Sequence, residues 1–141
     1  MSKPVVGNTR QINLFNRAKR PNNTRLGSDA EKIACQFLIN QGMQLKYCNY
    51  RTRRGEIDLI MQYLDCLVFV EVKYRRSSKF GTPEEAITPA KCQKIIAAAR
   101  AFLLTHGYQE DTLIRFDAVL ISPTDNSKSN CTINWIQNIL T

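Results

Sequence analysis

The sequence predicts an α/β fold, a mixed sheet flanked by helices with the core order α-β-β-β-α-β. Two stretches carry apolar residues at helical spacing, each opened by a capping residue, Ser28 or Thr88. Three short runs between them alternate or are rich in β-branched residues, and a fourth follows the second helix. Helix, three strands, helix, strand is an order that implies a mixed sheet with helices against it.

The first helix is expected from Gly27 or Ser28 to Asn40 or Gln41. Ser28 is a suitable N-cap, with Glu31 three residues on as its capping-box partner. Ile33, Ala34, Phe37 and Leu38 form an apolar face, and Gly42 stops the helix. Residues 45–51 read as a strand, with Leu45, Tyr47 and Asn49 on one face and Lys46, Cys48 and Tyr50 on the other. Arg51-Thr-Arg-Arg-Gly55 is a basic turn. Residues 56–62 and 67–73 are the next strands, and the short link between them predicts an antiparallel hairpin.

Residues 75–87 are expected to be a loop. A long helix follows, with Thr88 as N-cap, Pro89 at its first position and Ile95, Ile96, Ala99, Phe102 and Leu103 as its buried stripe. Gly107 ends it. Residues 113–121 are a fourth strand, and residues 132–140 are a short strand or helix.

The 141 residues suit one domain with a core of its own, read here as 24–141. No segment is apolar for long enough to cross a bilayer. The polar, basic first 23 residues lack the apolar core of a secretory signal, so a cytoplasmic location is expected. Five cysteines with no Cys-x-x-Cys spacing fit reduced, mostly buried thiols better than a disulfide framework or a zinc site. A single histidine, His106, excludes chemistry built on two imidazoles; its place near a helix end predicts a surface residue interacting with the dipole.

The net charge is +8, from 20 Lys+Arg and 12 Asp+Glu. Lys3, Arg10, Arg17, Lys19, Arg20 and Arg25 lie in the first 25 residues with no acid among them, leaving 14 bases against 12 acids, or +2, for residues 26–141. Residues 1–23 thus read as a mostly disordered basic arm. Such an arm serves either to bind nucleic-acid phosphates or to keep the chain in solution.

Asp58 and Glu71 are acids inside otherwise apolar strands, where a buried carboxylate needs a partner or a metal. Glu71 and Lys73 share one face of their strand, and Val68, Val70 and Val72 take the other. Likewise Glu56 and Asp58 share a face, opposite Ile57, Leu59 and Met61. A two-residue turn at Leu64-Asp65 sets Asp58 opposite Glu71 and Glu56 opposite Lys73. Opposed Cβ atoms lie about 4.5–5.5 Å apart, so the two carboxylates are placed to share one divalent ion, for which Mg²⁺ is the natural candidate. Lys73 would then orient a nucleophilic water or stabilise charge on a phosphate. Arg51, Arg53 and Arg54 before the hairpin, and Arg75, Arg76 and Lys79 after it, gather at its open end, where they would guide a polyanion. Acid–base pairs across a hairpin that only stabilise it are the competing reading.

Asn49-Tyr-Arg51, Gly55-Glu-Ile-Asp-Leu-Ile60 and Phe69-Val-Glu-Val-Lys73 together resemble the YraN family of bacterial proteins. That family belongs to the PD-(D/E)xK nuclease superfamily, with a restriction-endonuclease-like fold akin to archaeal Holliday junction resolvases. Phe80-Gly81 with Pro83, Lys91, Arg115-Phe-Asp117 and Ile133-Asn-Trp-Ile-Gln-Asn138 extend the match over roughly residues 25–140. The resemblance implies that Asp58 is a metal ligand, that Glu71 and Lys73 are the E-x-K pair, and that Glu31 is the helix acid assisting at the metal. Ile57 replaces the proline that names the superfamily motif, as is usual in this family, and Ala30 stands where the family usually has glycine.

The function expected is a Mg²⁺- or Mn²⁺-dependent endonuclease acting on DNA, with branched or damaged DNA as candidate substrates. Lys91 joins the arginines as a nucleic-acid contact. Resolvase-like relatives act as dimers, so a homodimer is one assembly the resemblance allows. The alternative is a nucleic-acid-binding module on the same fold without chemistry. Glu31 reads equally as a capping acid, Glu56 as a partner of Lys73 or an arginine, and Arg115 with Asp117 as a structural salt bridge.

Overall fold

The computed structural model describes residues 28–75, 87–123 and 131–140. The expected basic arm, and the contacts expected of Arg76 and Lys79, lie outside the described residues.

α1 (Asp29–Asn40) opens at Ser28, whose hydroxyl accepts from the Glu31 N–H at 3.2 Å. It closes at Gly42, whose φ of 101° suits a glycine. β1 (Gln44–Arg51), β2 (Glu56–Tyr63) and β3 (Cys66–Tyr74) form an antiparallel meander. α2 (Pro89–Thr105), capped by the Thr88 hydroxyl, crosses over to β4 (Leu113–Pro123), which lies parallel to β3. β5 (Cys131–Ile136) pairs antiparallel with β4, so the C-terminal segment is a strand. The result is one mixed five-stranded sheet in the order β1-β2-β3-β4-β5, an α/β architecture of the restriction-endonuclease-like class.

The helices cover opposite faces. Ala34, Cys35, Leu38 and Ile39 of α1 pack with Leu59, Met61, Val68, Val70, Val119 and Ile121. Ile95, Ala98, Ala99 and Phe102 of α2 pack with Ile57, Ile60, Leu67 and Phe69. Val68 and Val70 take the face away from Glu71, as alternation requires. Cys35 and Cys48 are buried in the first cluster, and no described cysteine is in a disulfide.

Alternation fails in β1 and β2, however. Tyr47 and Tyr50, three residues apart, both pack on the α2 side, as do Ile57 and Ile60. Ile57 therefore does not share a face with Leu59 and Met61, contrary to the regular pattern. Asn49, between the tyrosines, has φ 53°, a left-handed conformation that asparagine tolerates better than most residues. It reverses the pleat of β1. The ladder has rungs at Cys48↔Leu59 and Tyr50↔Ile57 and skips Asn49 and Asp58 between them. Among the described residues no helix is long and apolar enough to cross a membrane.

Candidate active site

The hairpin turn sets the geometry. Tyr63 pairs with Cys66 across Leu64 and Asp65, and the rungs continue to Leu59↔Val70. Asp58 and Glu71 stand just beyond this last rung. Asp58 takes the place of main chain there: its Oδ2 accepts the Val72 N–H at 2.8 Å. The Glu71 carboxyl is its neighbour and acts on it electrostatically.

This placement strains Asp58 electrostatically. Burial and the neighbouring Glu71 carboxyl, with a smaller push from Glu31, raise its pKa from 3.8 to about 8; the Val72 amide pulls the other way. At neutral pH the Asp58 carboxyl therefore keeps its proton.

Glu71 is buried at 5 % exposure in the centre of the sheet. Two ammonium groups face its Oε2: Lys91 Nζ at 2.8 Å and Lys73 Nζ at 3.9 Å. The lysines also act on each other electrostatically. The hydrogen bond to Lys91, burial and the Lys91 charge lower the Lys73 pKa. Burial opposes protonation of Lys91, but hydrogen bonds to Glu71 and Lys73 and the nearby acids raise its pKa on balance. The site therefore contains one lysine held charged and one eased toward the neutral amine.

Asp58, Glu71 and Lys73 are thus brought together. Glu31 lies in the first turn of α1, within electrostatic reach of Asp58. Among the described residues no three His, Cys, Asp or Glu side chains converge closely enough to hold an ion by themselves. Lys91 lies on Glu71 at the sheet. A signal for this was present in the sequence: the first turn of α2 contains a lysine and no acid. An ammonium there opposes the helix dipole, so it must find an acid elsewhere.

Among the described residues the basic side chains differ in their partners. Arg51 Nε lies 3.3 Å from Glu56 Oε2, the arginine alternative for Glu56, so Glu56 is not the cross-strand partner of Lys73. Arg53 and Arg54 are exposed in the β1–β2 turn, which Thr52 Oγ1 ties by accepting the Arg54 and Gly55 N–H groups and donating to the Gly55 carbonyl. Arg75 is half-buried, and its N–H donates to the Ile121 carbonyl at 2.8 Å.

Asp117 provides a contrast. Fully buried, it accepts from Arg115 Nε and Nη2, Trp135 Nε1 and the Asn138 N–H at 2.9–3.0 Å. Four donors satisfy it, the pattern of a structural carboxylate. Asp58 has one main-chain donor and an acid for a neighbour.

Fold and cluster define an α/β protein of the restriction-endonuclease-like class with paired carboxyls and paired lysines at the end of a central hairpin. The model of the uncharacterised protein family UPF0102 matches residues 30–121, and the chain belongs to that family. A UPF0102 protein of Nitrosomonas eutropha is 50% identical over 112 residues, covering 79% of this chain and 90% of the relative. One from Nitrosococcus oceani is 42% identical over 112 residues, 79% of this chain and 88% of the relative. One from Vibrio vulnificus is 40% identical over 117 residues, 82% and 92% of the two chains. The matched span contains Glu31, Asp58, Glu71, Lys73, Lys91 and Asp117.

Proposed function

We propose that the protein is a divalent-metal-dependent endonuclease that hydrolyses phosphodiester bonds in DNA, with branched or damaged DNA as candidate substrates. The observation that carries this reading is the Asp58–Glu71 pair. Two carboxyls are pressed together in a half-dry position: Glu71 has lysine partners, whereas burial and the Glu71 charge push the Asp58 pKa up to about 8. Structural acids do not need such an arrangement; perturbed pairs of this kind are characteristic of functional sites.

The donor set fits Mg²⁺ or Mn²⁺. Hard carboxylate oxygens suit these ions, and Mg²⁺ commonly binds one or two carboxylates and completes its shell with waters and substrate phosphate oxygens. Asp58 and Glu71 would hold the ion, with the Glu31 charge adding to the field. Bound there, the metal would supply Lewis acidity and a water more acidic than bulk. Lys73 Nζ, eased toward its neutral form, is suited to accept a proton from the attacking water. Lys91 is the charged partner of Glu71 in the metal-free protein. Exposed Arg53 and Arg54, without an ion-pair partner among the described residues, are suited to the phosphates of an incoming strand.

Supercoiled, linear, nicked and four-way DNA incubated with Mg²⁺ or Mn²⁺ tests this. Wild-type protein should cut at least one of them. Asp58→Ala should abolish cutting, and Lys73→Ala should slow it by about a hundredfold. No cutting of any substrate, or undiminished cutting by Asp58→Ala, refutes the proposal.

A second reading is a nucleic-acid-binding module without chemistry. It is favoured by one observation: Lys91 and Lys73 already neutralise Glu71 without a metal. Salt-sensitive, metal-independent DNA binding with no cleavage would select it.

A further inference from the structure

The nearest cation to Glu71 comes from α2 rather than from its own strand. Lys91 is three residues past the Thr88 cap, its N–H donating to that hydroxyl at 3.2 Å. The helix dipole opposes an ammonium at this point, and no acid of the first turn offsets it. Its stabilising partner is Glu71, whose side chain is 6% exposed, while the Lys91 side chain is 36% exposed. The acid is fixed in the centre of the sheet. The lysine sits on a long, flexible stem with a route to solvent. The contact is therefore one-sided: Glu71 cannot retreat from Lys91, but Lys91 can leave Glu71.

We propose that Lys91 is a tethered counter-ion that occupies Glu71 in the metal-free protein and is displaced when a divalent cation binds, so that Lys91 sets the metal concentration at which the site fills. The inference rests on the metal-binding reading above. Its physical basis is competition. A divalent ion on Glu71 and an ammonium 2.8 Å from Oε2 repel each other across a poorly screened space, so each weakens the other's hold on the carboxylate. Lys73, at 3.9 Å, is the weaker competitor. Lys91 is thus a positioning residue that acts through Glu71.

The test is Mn²⁺ binding to the full chain without DNA, by titration calorimetry, in wild type, Lys91→Gln, Lys91→Met and Lys91→Arg. Metal-free thermal unfolding identifies which variants are folded. The two neutral variants should bind Mn²⁺ about three- to tenfold more tightly than wild type, and Lys91→Arg should stay near wild type. A purely structural lysine would lower the unfolding temperature and leave affinity unchanged. Unchanged or weaker Mn²⁺ binding by a folded neutral variant overturns the inference while leaving metal binding by the acids intact. Failure of wild type and every variant to bind Mn²⁺ removes the metal reading itself, and this inference with it.

Discussion

Gly55 lies so close to the Lys94 carbonyl that a Cβ on Gly55 would stand 2.6 Å from that oxygen. No side chain tolerates that approach, so the glycine is what lets the arginine turn rest on α2. Arg53 and Arg54, in the same turn, are exposed, as is Lys94. Gly55→Ala should cost about 1–3 kcal/mol, because main chain rather than a flexible side chain must move. Urea unfolding measures it; a loss near zero would mean that the turn is not seated as described. Arg53→Ala and Arg54→Ala should leave stability unchanged and each reduce the salt dependence of DNA binding by about one unit of slope.

Asp58 should make the metal-free protein less stable as pH rises. Below about pH 4 the folded and unfolded chains both carry this proton. Between 3.8 and about 8 the folded chain keeps a proton that the unfolded chain has lost, so stability falls with increasing pH and levels off above 8. Asp58→Asn removes the titration and keeps an acceptor for the Val72 N–H. In EDTA it should match wild type near pH 4 and exceed it by about 1–3 kcal/mol at pH 8. Denaturant unfolding across that range decides the matter, and parallel profiles for the two proteins would contradict it.

Asp117 should behave in the opposite way. Asp117→Ala leaves the Arg115 guanidinium, the Trp135 indole N–H and the Asn138 N–H without their acceptor. The expected cost is about 3–5 kcal/mol. Trp135, the sole tryptophan, reports unfolding by its fluorescence. Under conditions where the variant is folded, its Mn²⁺ affinity should equal that of wild type; a loss of affinity would tie this carboxylate to the site.

Phe102 is the hub of the α2 side. Its ring lies 4.3–5.9 Å from those of Tyr47, Tyr50, Phe69, His106 and Tyr108. Phe102→Ala should cost about 3–5 kcal/mol, and Phe102→Leu less than half of that. Calorimetric melting ranks the two, and equal losses would mean that ring contact, not filled volume, matters there.

Much of this was legible because local rules were obeyed. The two-residue turn fixed the β2–β3 register, and with it the meeting of Asp58 and Glu71. Ser28 and Thr88 marked both helix starts, and the position of α2 between strands implied a mixed sheet. The pleat reversal was not legible, because strict alternation assumes a regular strand and Asn49 departs from one. The reach of Lys91 to Glu71 was missed because it joins a helix to a sheet across distant sequence. His106 is at the surface as expected, but its ring also stacks on Phe102 and its Nδ1 lies 2.9 Å from the Phe102 carbonyl. Sequence spacing does not reveal such a stack.

One rung of the central hairpin is made by a side chain. The Val72 amide is held by a carboxylate oxygen where a regular ladder would use a β2 carbonyl. Whatever draws Asp58 toward itself loosens that amide, and whatever fixes Asp58 in place protects it. The solvent exchange rate of a single backbone hydrogen, in the middle of the sheet, is therefore a reporter of what the carboxyl pair holds.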